Sequence, residues 1–196
     1  MAAADDRGAT LAELLAVLAV TALVTATTLP VVAGAFEAER TLLAAQFVAA
    51  RAHAARFEAL RRSSFVALRI ELSQDDVLVQ PFVDGNGNGV LARDVAMGLD
   101  PPLAPQDRLG SHARGITLRI NRRVPDIGGA GWLETGSDPL RIGRSSLLSF
   151  APTGSATAGT LYVAGAAGPQ LAVRVTGTTG RIRVLRFDPG SATWRP

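Results

Sequence analysis

From Leu14 to Phe36 the chain runs for 23 residues without a charge, reading LLAVLAVTALVTATTLPVVAGAF. A helix rising about 1.5 Å per residue covers roughly 35 Å over such a run, against a bilayer hydrocarbon core of about 30 Å. A cleaved signal peptide is the competing reading, and Ala33-Gly34-Ala35 has the small-residue form of its cleavage site. The apolar part of a signal peptide is usually only ~7–15 residues and follows a positive segment. Here Asp5, Asp6 and Arg7 come first and carry no net positive charge. The reading is therefore a retained membrane helix.

The start of the run narrows the choice further. It reads Arg7-Gly8-Ala9-Thr10-Leu11-Ala12-Glu13, with one carboxylate a single turn inside an otherwise apolar helix. A charge held in lipid costs at least about 2.5–3.5 kcal/mol unless it finds a partner, so Glu13 either reaches the interface or awaits a cation on another subunit. These residues resemble the type IV pilin and pseudopilin superfamily. That resemblance implies a leader of residues 1–8 ending at Gly8, cleavage before Ala9 by a prepilin peptidase, and methylation of the new N-terminus. It makes Glu13 the fifth mature residue, which assembles against a neighbouring subunit. Pro30 becomes the twenty-second, where many pilins also carry proline. Arginines lie mostly after the span, which taken alone argues for the opposite orientation; the leader motif overrides this, because the family's peptidase works on the cytoplasmic side.

Beyond the span the helical pattern continues. Phe36, Leu43, Phe47, Ala50, Ala54 and Phe57 recur at spacings of three, four and seven, an apolar stripe expected to pack on the C-terminal region of the chain. Glu58 and Arg62 form an i,i+4 pair on another face. One helix is thus expected from about Ala9 to about Arg62: 9–36 in the membrane, bent at Pro30, and 37–62 in the periplasm.

From Ser64 the period changes to two. Val66, Leu68, Ile70 and Leu72 alternate with polar or small residues, and 77–79, 116–120, 147–150, 161–164, 171–175 and 182–187 read as further strands between Gly, Pro, Asp and Asn clusters. Strand following strand predicts antiparallel sheets over 63–196, and residues 97–115 and 125–139 read as long loops. The fold class is α+β, a long N-terminal helix on antiparallel sheets. Within this region Phe82–Gly89, Phe150-Ala151-Pro152-Thr153-Gly154, Gly159–Val163 and Gly180–Val184 resemble the GspH/FimT family of minor pseudopilins and minor pilins, whose fold is the same.

Two clusters are candidate binding sites. Asp84-x-Asn86-x-Asn88-Gly89 matches the first half of a calcium loop, with Asp94 the next carboxylate; the twelfth position is Val95 rather than a bidentate Glu, so any Ca²⁺ affinity is weak. The alternative is a Gly/Asn hairpin loop. Residues 139–196 hold seven arginines against Asp188 alone. Arg181 and Arg183 fall on one face of an extended strand, readable as the solvated side of an edge strand, a contact to a neighbouring subunit, or a phosphate contact. In the FimT-like branch, a Gly-Arg-x-Arg motif here is associated with DNA binding during uptake.

Composition closes other routes. There is no cysteine, so no disulfide or thiolate chemistry, and His53 and His112 are too few and too far apart for a histidine-rich metal site. All 20 basic residues are arginine, so no Walker lysine exists, and no nucleophile motif surrounds either histidine. No enzyme and no firm cofactor is expected. The resemblance implies a minor pseudopilin of type II secretion, inserted once in the inner membrane, with its C-terminal domain in the periplasm and other pilin-like subunits as partners. Alternatives are a FimT-type minor pilin binding DNA and a membrane-anchored periplasmic binding domain.

Overall fold

The computed structural model describes residues 10–73, 76–129, 131–143 and 145–196. The chain divides between Phe36 and Glu37 into two compact units. A single helix, α1 (Leu11–Arg62), runs without interruption through Pro30, although that residue has no N–H for the carbonyl four residues before it. Every residue from Thr10 to Phe36 is exposed. Its threonines turn their hydroxyls back onto the helix, Thr21 to the carbonyl of Val17 (2.7 Å), Thr25 to that of Thr21 (2.8 Å) and Thr28 to that of Val24 (2.9 Å). Each polar side chain is thereby satisfied by its own backbone, as an apolar medium requires. The helix is long and apolar enough to cross a membrane, a criterion that a signal sequence near an N-terminus also meets.

In the second unit, two antiparallel sheets and the later part of α1 share one core. The first sheet has the order β3 (Asp107–Arg108), β2 (Asp76–Val83), β1 (Val66–Ser73), β8 (Leu147–Phe150). The second runs β12 (Thr193–Arg195), β11 (Ile182–Asp188), β10 (Leu171–Val175), β9 (Gly159–Ala164), β4 (Thr117–Leu118), with β7 (Leu140–Ile142) also on β9. A ribbon of β5 (Val124–Pro125) and β6 (Trp132–Leu133) completes the set. Alternation puts Val66, Leu68 and Ile70 of β1 and Leu171, Val173 and Val175 of β10 into the main core. Tyr162, Ala172 and Phe187 point the other way, into a second cluster with Ile120, Val124 and Leu133.

The helix does not bury the expected stripe. Its buried residues are Thr41, Ala44, Ala45, Val48, Ala49, Ala52, Ala55 and Ala59. Of the expected six, only Phe47 is half-buried; Phe36, Leu43, Ala50, Ala54 and Phe57 are exposed. The reason is distance: alanines let the helix backbone lie close on two sheets that already supply the bulky side chains, whereas phenylalanines on that face would hold it off. A second correction is α2 (Ala92–Ala96), a short helix between β2 and β3 where only strands and loops are expected.

Candidate functional site

At the head of α1, Thr10 and Glu13 form a reciprocal cap. The Thr10 backbone N–H donates to Glu13 Oε2 (2.8 Å), its hydroxyl donates to the same oxygen (3.1 Å), and the Glu13 N–H returns to Thr10 Oγ1 (3.3 Å). This capping-box pattern satisfies helix N–H groups and the carboxylate together. The expected processing residues Gly8 and Ala9 lie outside the described residues.

Asp84, Asn86, Asn88 and Asp94 are brought together. Asp84 Oδ1 accepts from the N–H groups of Asn86 (3.1 Å) and Gly87 (2.7 Å), and Oδ2 from Gly89 (2.8 Å). Both asparagine amides donate to Asp94 Oδ2, Asn86 at 3.1 Å and Asn88 at 2.9 Å. These bonds from Asn88 and Asn86, with Arg93 alongside, hold the Asp94 carboxyl below its ordinary range. The segment is not a hairpin loop; it leads into α2 and is closed by Asp100, whose Oδ1 accepts from Gly85 N–H and Oδ2 from Leu91 N–H, both at 3.0 Å. Asp100, only 1% exposed, is the member that sequence reasoning missed. Its spacing from Asp84 fits no loop pattern, and only the fold brings it in. The carboxylate oxygens are engaged by the loop's own donors. Among the described residues no group of three or more histidine or acidic side chains is arranged to hold a metal ion.

Arg181 and Arg183 are both exposed. Arg181 precedes β11, and Arg183 sits within it opposite Arg174. β11 is not a simple edge strand: β10 pairs one side along Leu171–Val175, while β12 covers only Arg186–Asp188 on the other. His53 is exposed, and His112 stacks on Phe47 with ring centroids 4.4 Å apart, its Nε2 3.3 Å from Asp107.

Beside this face lies a fixed polar network. Tyr162 is fully buried; its hydroxyl donates to Asp126 Oδ1 (3.1 Å) and accepts from the Ile127 N–H (3.0 Å). Burial, helped by the neighbouring Asp126 carboxylate, pushes the Tyr162 hydroxyl up to about 12, against the lowering influence of the Ile127 N–H and of Arg141. Burial acts to raise Asp126 as well, but bonds from the Gly128 N–H, Tyr162 and Arg141 outweigh it and hold that carboxyl low. At the start of the second unit Glu37 accepts from the N–H groups of Ala167 (2.9 Å) and Gly168 (2.8 Å), which keep it below the usual carboxylate range.

A long apolar N-terminal helix whose later part packs on antiparallel sheets is a pilin-like architecture. Comparison with protein-family models, curated proteins and solved structures finds no match for the chain.

Proposed function

We propose that this protein is a minor pseudopilin of the GspH/FimT type, an assembly subunit of a type II secretion pseudopilus rather than an enzyme. The observation that carries the reading is Glu13, a lone carboxylate in the first turn of an apolar helix whose continuation docks a β domain. In this reading a prepilin peptidase removes residues 1–8 and the helix holds the subunit in the inner membrane. Neighbouring pilin-like subunits then pack on its uncovered side. Support for that last step comes from the side of α1 away from the core, where Leu42, Leu43, Phe57 and Leu60 are exposed. Such a surface is costly in water and suits burial by other helices.

Mass spectrometry of the protein extracted from membranes tests the reading. The expected N-terminus is Ala9, with or without a methyl group; a mature chain beginning near Phe36 means ordinary signal cleavage and ends it. Glu13→Ala should insert normally, since it makes the span more apolar, yet fail to enter filaments. Full assembly of that variant would remove the role given to Glu13.

A second reading, a FimT-type minor pilin for DNA uptake, is favoured by the exposure of both arginines of Gly180-Arg181-Ile182-Arg183. From Glu37 onward the chain carries 19 Arg against 14 Asp and Glu. Low-salt DNA binding is therefore expected of either reading and falls steeply with salt. Only binding that survives near-physiological salt and is lost in Arg181→Ala, Arg183→Ala supports the uptake role.

A further inference from the structure

Glu37 follows directly on Phe36, the last residue of the uncharged run. It also fixes a loop of the β domain at that point of the chain. Its Oε1 accepts from the Ala167 and Gly168 N–H groups, which belong to the connection between β9 and β10. Two glycines of that connection make room for it: a Cβ on Gly165 would lie 2.1 Å from Glu37 Oε1, and one on Gly168 would lie 3.0 Å from its Cγ. The segment after β4 is bonded to the same loop. Asn121 Nδ2 donates to the carbonyls of Gly165 (3.3 Å) and Gly168 (3.0 Å), and Arg122 Nη2 donates to that of Gly168 (2.8 Å).

Three arginines gather around this loop. Arg40 is exposed and lies one helical turn beyond Glu37. Arg119 is exposed too, and its charge adds to the Ala167 and Gly168 N–H groups in holding the Glu37 carboxyl low. Arg122 is half-buried against Gly168. Among the described residues none of the three forms an ion pair. The Glu37 carboxylate is taken up by the loop, and the other acid nearby on α1 is the exposed Glu39. The next residue, Arg123, pairs with Glu134 at 3.0 Å and holds its guanidinium 4.9 Å from the ring centre of the exposed Trp132. Tryptophan is enriched where proteins meet the membrane–water boundary.

Covalent continuity sets what these arginines meet. A retained span ends at about Phe36, and the headgroup layer adds roughly 5–7 Å outside the hydrocarbon on each side. Arg40 follows Phe36 by four residues, which is at most about 6 Å along a bilayer normal for a helix. We propose that Arg40, Arg119 and Arg122 bind the phosphodiester headgroups of anionic lipids, so that the β domain collects such lipids where its chain leaves the membrane. Anionic headgroups attract arginines beside a span by net charge, which zwitterionic headgroups lack. Arg40, the first of the arginines that follow the span against the usual orientation bias, then has a use on that side. The proposal rests on the retained membrane helix of the pseudopilin reading; it does not depend on which filament takes up the subunit.

The test reconstitutes the full chain into phosphatidylcholine bilayers that carry spin-labelled phosphatidylglycerol or spin-labelled phosphatidylcholine. Electron spin resonance reads the share of each labelled lipid held at the protein. Phosphatidylglycerol should be preferred about five-fold or more, and the preference should shrink with added salt. Arg119→Gln, a change in the β domain far from the span in sequence, should lower the preference by itself. Arg40→Gln combined with Arg119→Gln should remove most of it. Arg61→Gln with Arg62→Gln, an equal loss of charge in the last turn of α1, should leave it in place. No preference, or the same loss in both double changes, overturns the proposal. A loss in Arg40→Gln that Arg119→Gln does not share also overturns it, because a helix arginine beside any span would then suffice. Inorganic phosphate that cancels the preference, where sodium chloride of the same ionic strength does not, overturns it in favour of a soluble anion. If the protein isolated from membranes begins near Phe36, this proposal and the pseudopilin reading fall together; if it begins at Ala9 and the preference is absent, only this proposal falls.

Discussion

At the scale of single residues, three buried aspartates organise residues 84–100 without any regular sheet to help. Asp84, Asp94 and Asp100 spend their oxygens on backbone N–H groups and on the amides of Asn86 and Asn88. Gly85 is part of the same arrangement, because a Cβ there would fall 2.0 Å from the Leu99 carbonyl oxygen. Asp100→Ala leaves the Gly85 and Leu91 N–H groups without the buried carboxylate that both donate to. Each such loss costs about 1–3 kcal/mol, so thermal or denaturant unfolding should report a loss of roughly 2–4 kcal/mol. Asp100→Asn keeps one oxygen acceptor and should lose less. A change below about 0.5 kcal/mol in Asp100→Ala, within the range of an ordinary surface substitution, would mean that water replaces the carboxylate and that the loop does not depend on it.

At the scale of elements, the alanine face of α1 decides how closely the helix approaches both sheets. Ala44, Ala45, Ala52 and Ala59 are wholly buried. Ala52→Leu inserts three heavy atoms into a filled space and should cost about 1–3 kcal/mol. Ala54→Leu, two positions on and exposed, should be close to neutral; equal effects of the two would contradict the observed docking face. The extent of α1 and strands such as Val66–Ser73 and Leu171–Val175 are legible in the sequence, because long periodic segments carry their own signal. The docking face is not, because a hydrophobic stripe gives weight to bulk. The buried positions 41, 44, 45, 48, 49, 52, 55 and 59 have a cleaner helical repeat than the phenylalanine stripe, but alanine contributes little to a hydrophobicity count. Short elements such as β7, β12 and α2 escape sequence reading because partners elsewhere in the chain select two to five residues that have no pattern of their own. The same holds for the sites: Asp84 and Asp94 are visible from spacing, whereas Asp100 and the Arg174–Arg183 pairing exist only through loop closure and strand register.

At the scale of the whole molecule, its unusual composition makes the pH dependence of stability separable into two limbs. On the acid side, Glu37 is held low by the Ala167 and Gly168 N–H groups, and Glu58 is lowered to about 2 by Arg61 and Arg62. Asp94 and Asp188 are lowered by side-chain hydrogen bonds, from Asn88 and Ser191 foremost. Depressed carboxyls stabilise the fold fully above their unfolded values, near 4.5 for Glu and 3.8 for Asp, and each contribution is lost as the pH falls through that group's lowered folded value, about 2 for Glu58. On the alkaline side Tyr162 is raised from 10.0 to about 12 by burial, so its contribution is complete below pH 10 and disappears as the pH climbs to about 12. The chain has one tyrosine, no lysine and no cysteine. Apart from the α-amino group near 8, Tyr162 is therefore the one side chain that ionises between pH 8 and arginine's range. Melting temperature followed against pH in nonionic detergent should show a plateau from about pH 5 to 9 with a decline on each side. Tyrosinate absorbance in the folded protein should appear with a midpoint near 12 rather than 10. Tyr162→Phe should lower the plateau by about 1–2 kcal/mol, through the lost bonds to Asp126 and Ile127, and should flatten the alkaline limb; on the acid side it removes only the Tyr162 bond that helps to hold Asp126 low and leaves the contributions of Glu37, Glu58, Asp94 and Asp188 in place. An alkaline limb that persists unchanged in Tyr162→Phe would show that the buried hydroxyl does not control stability there.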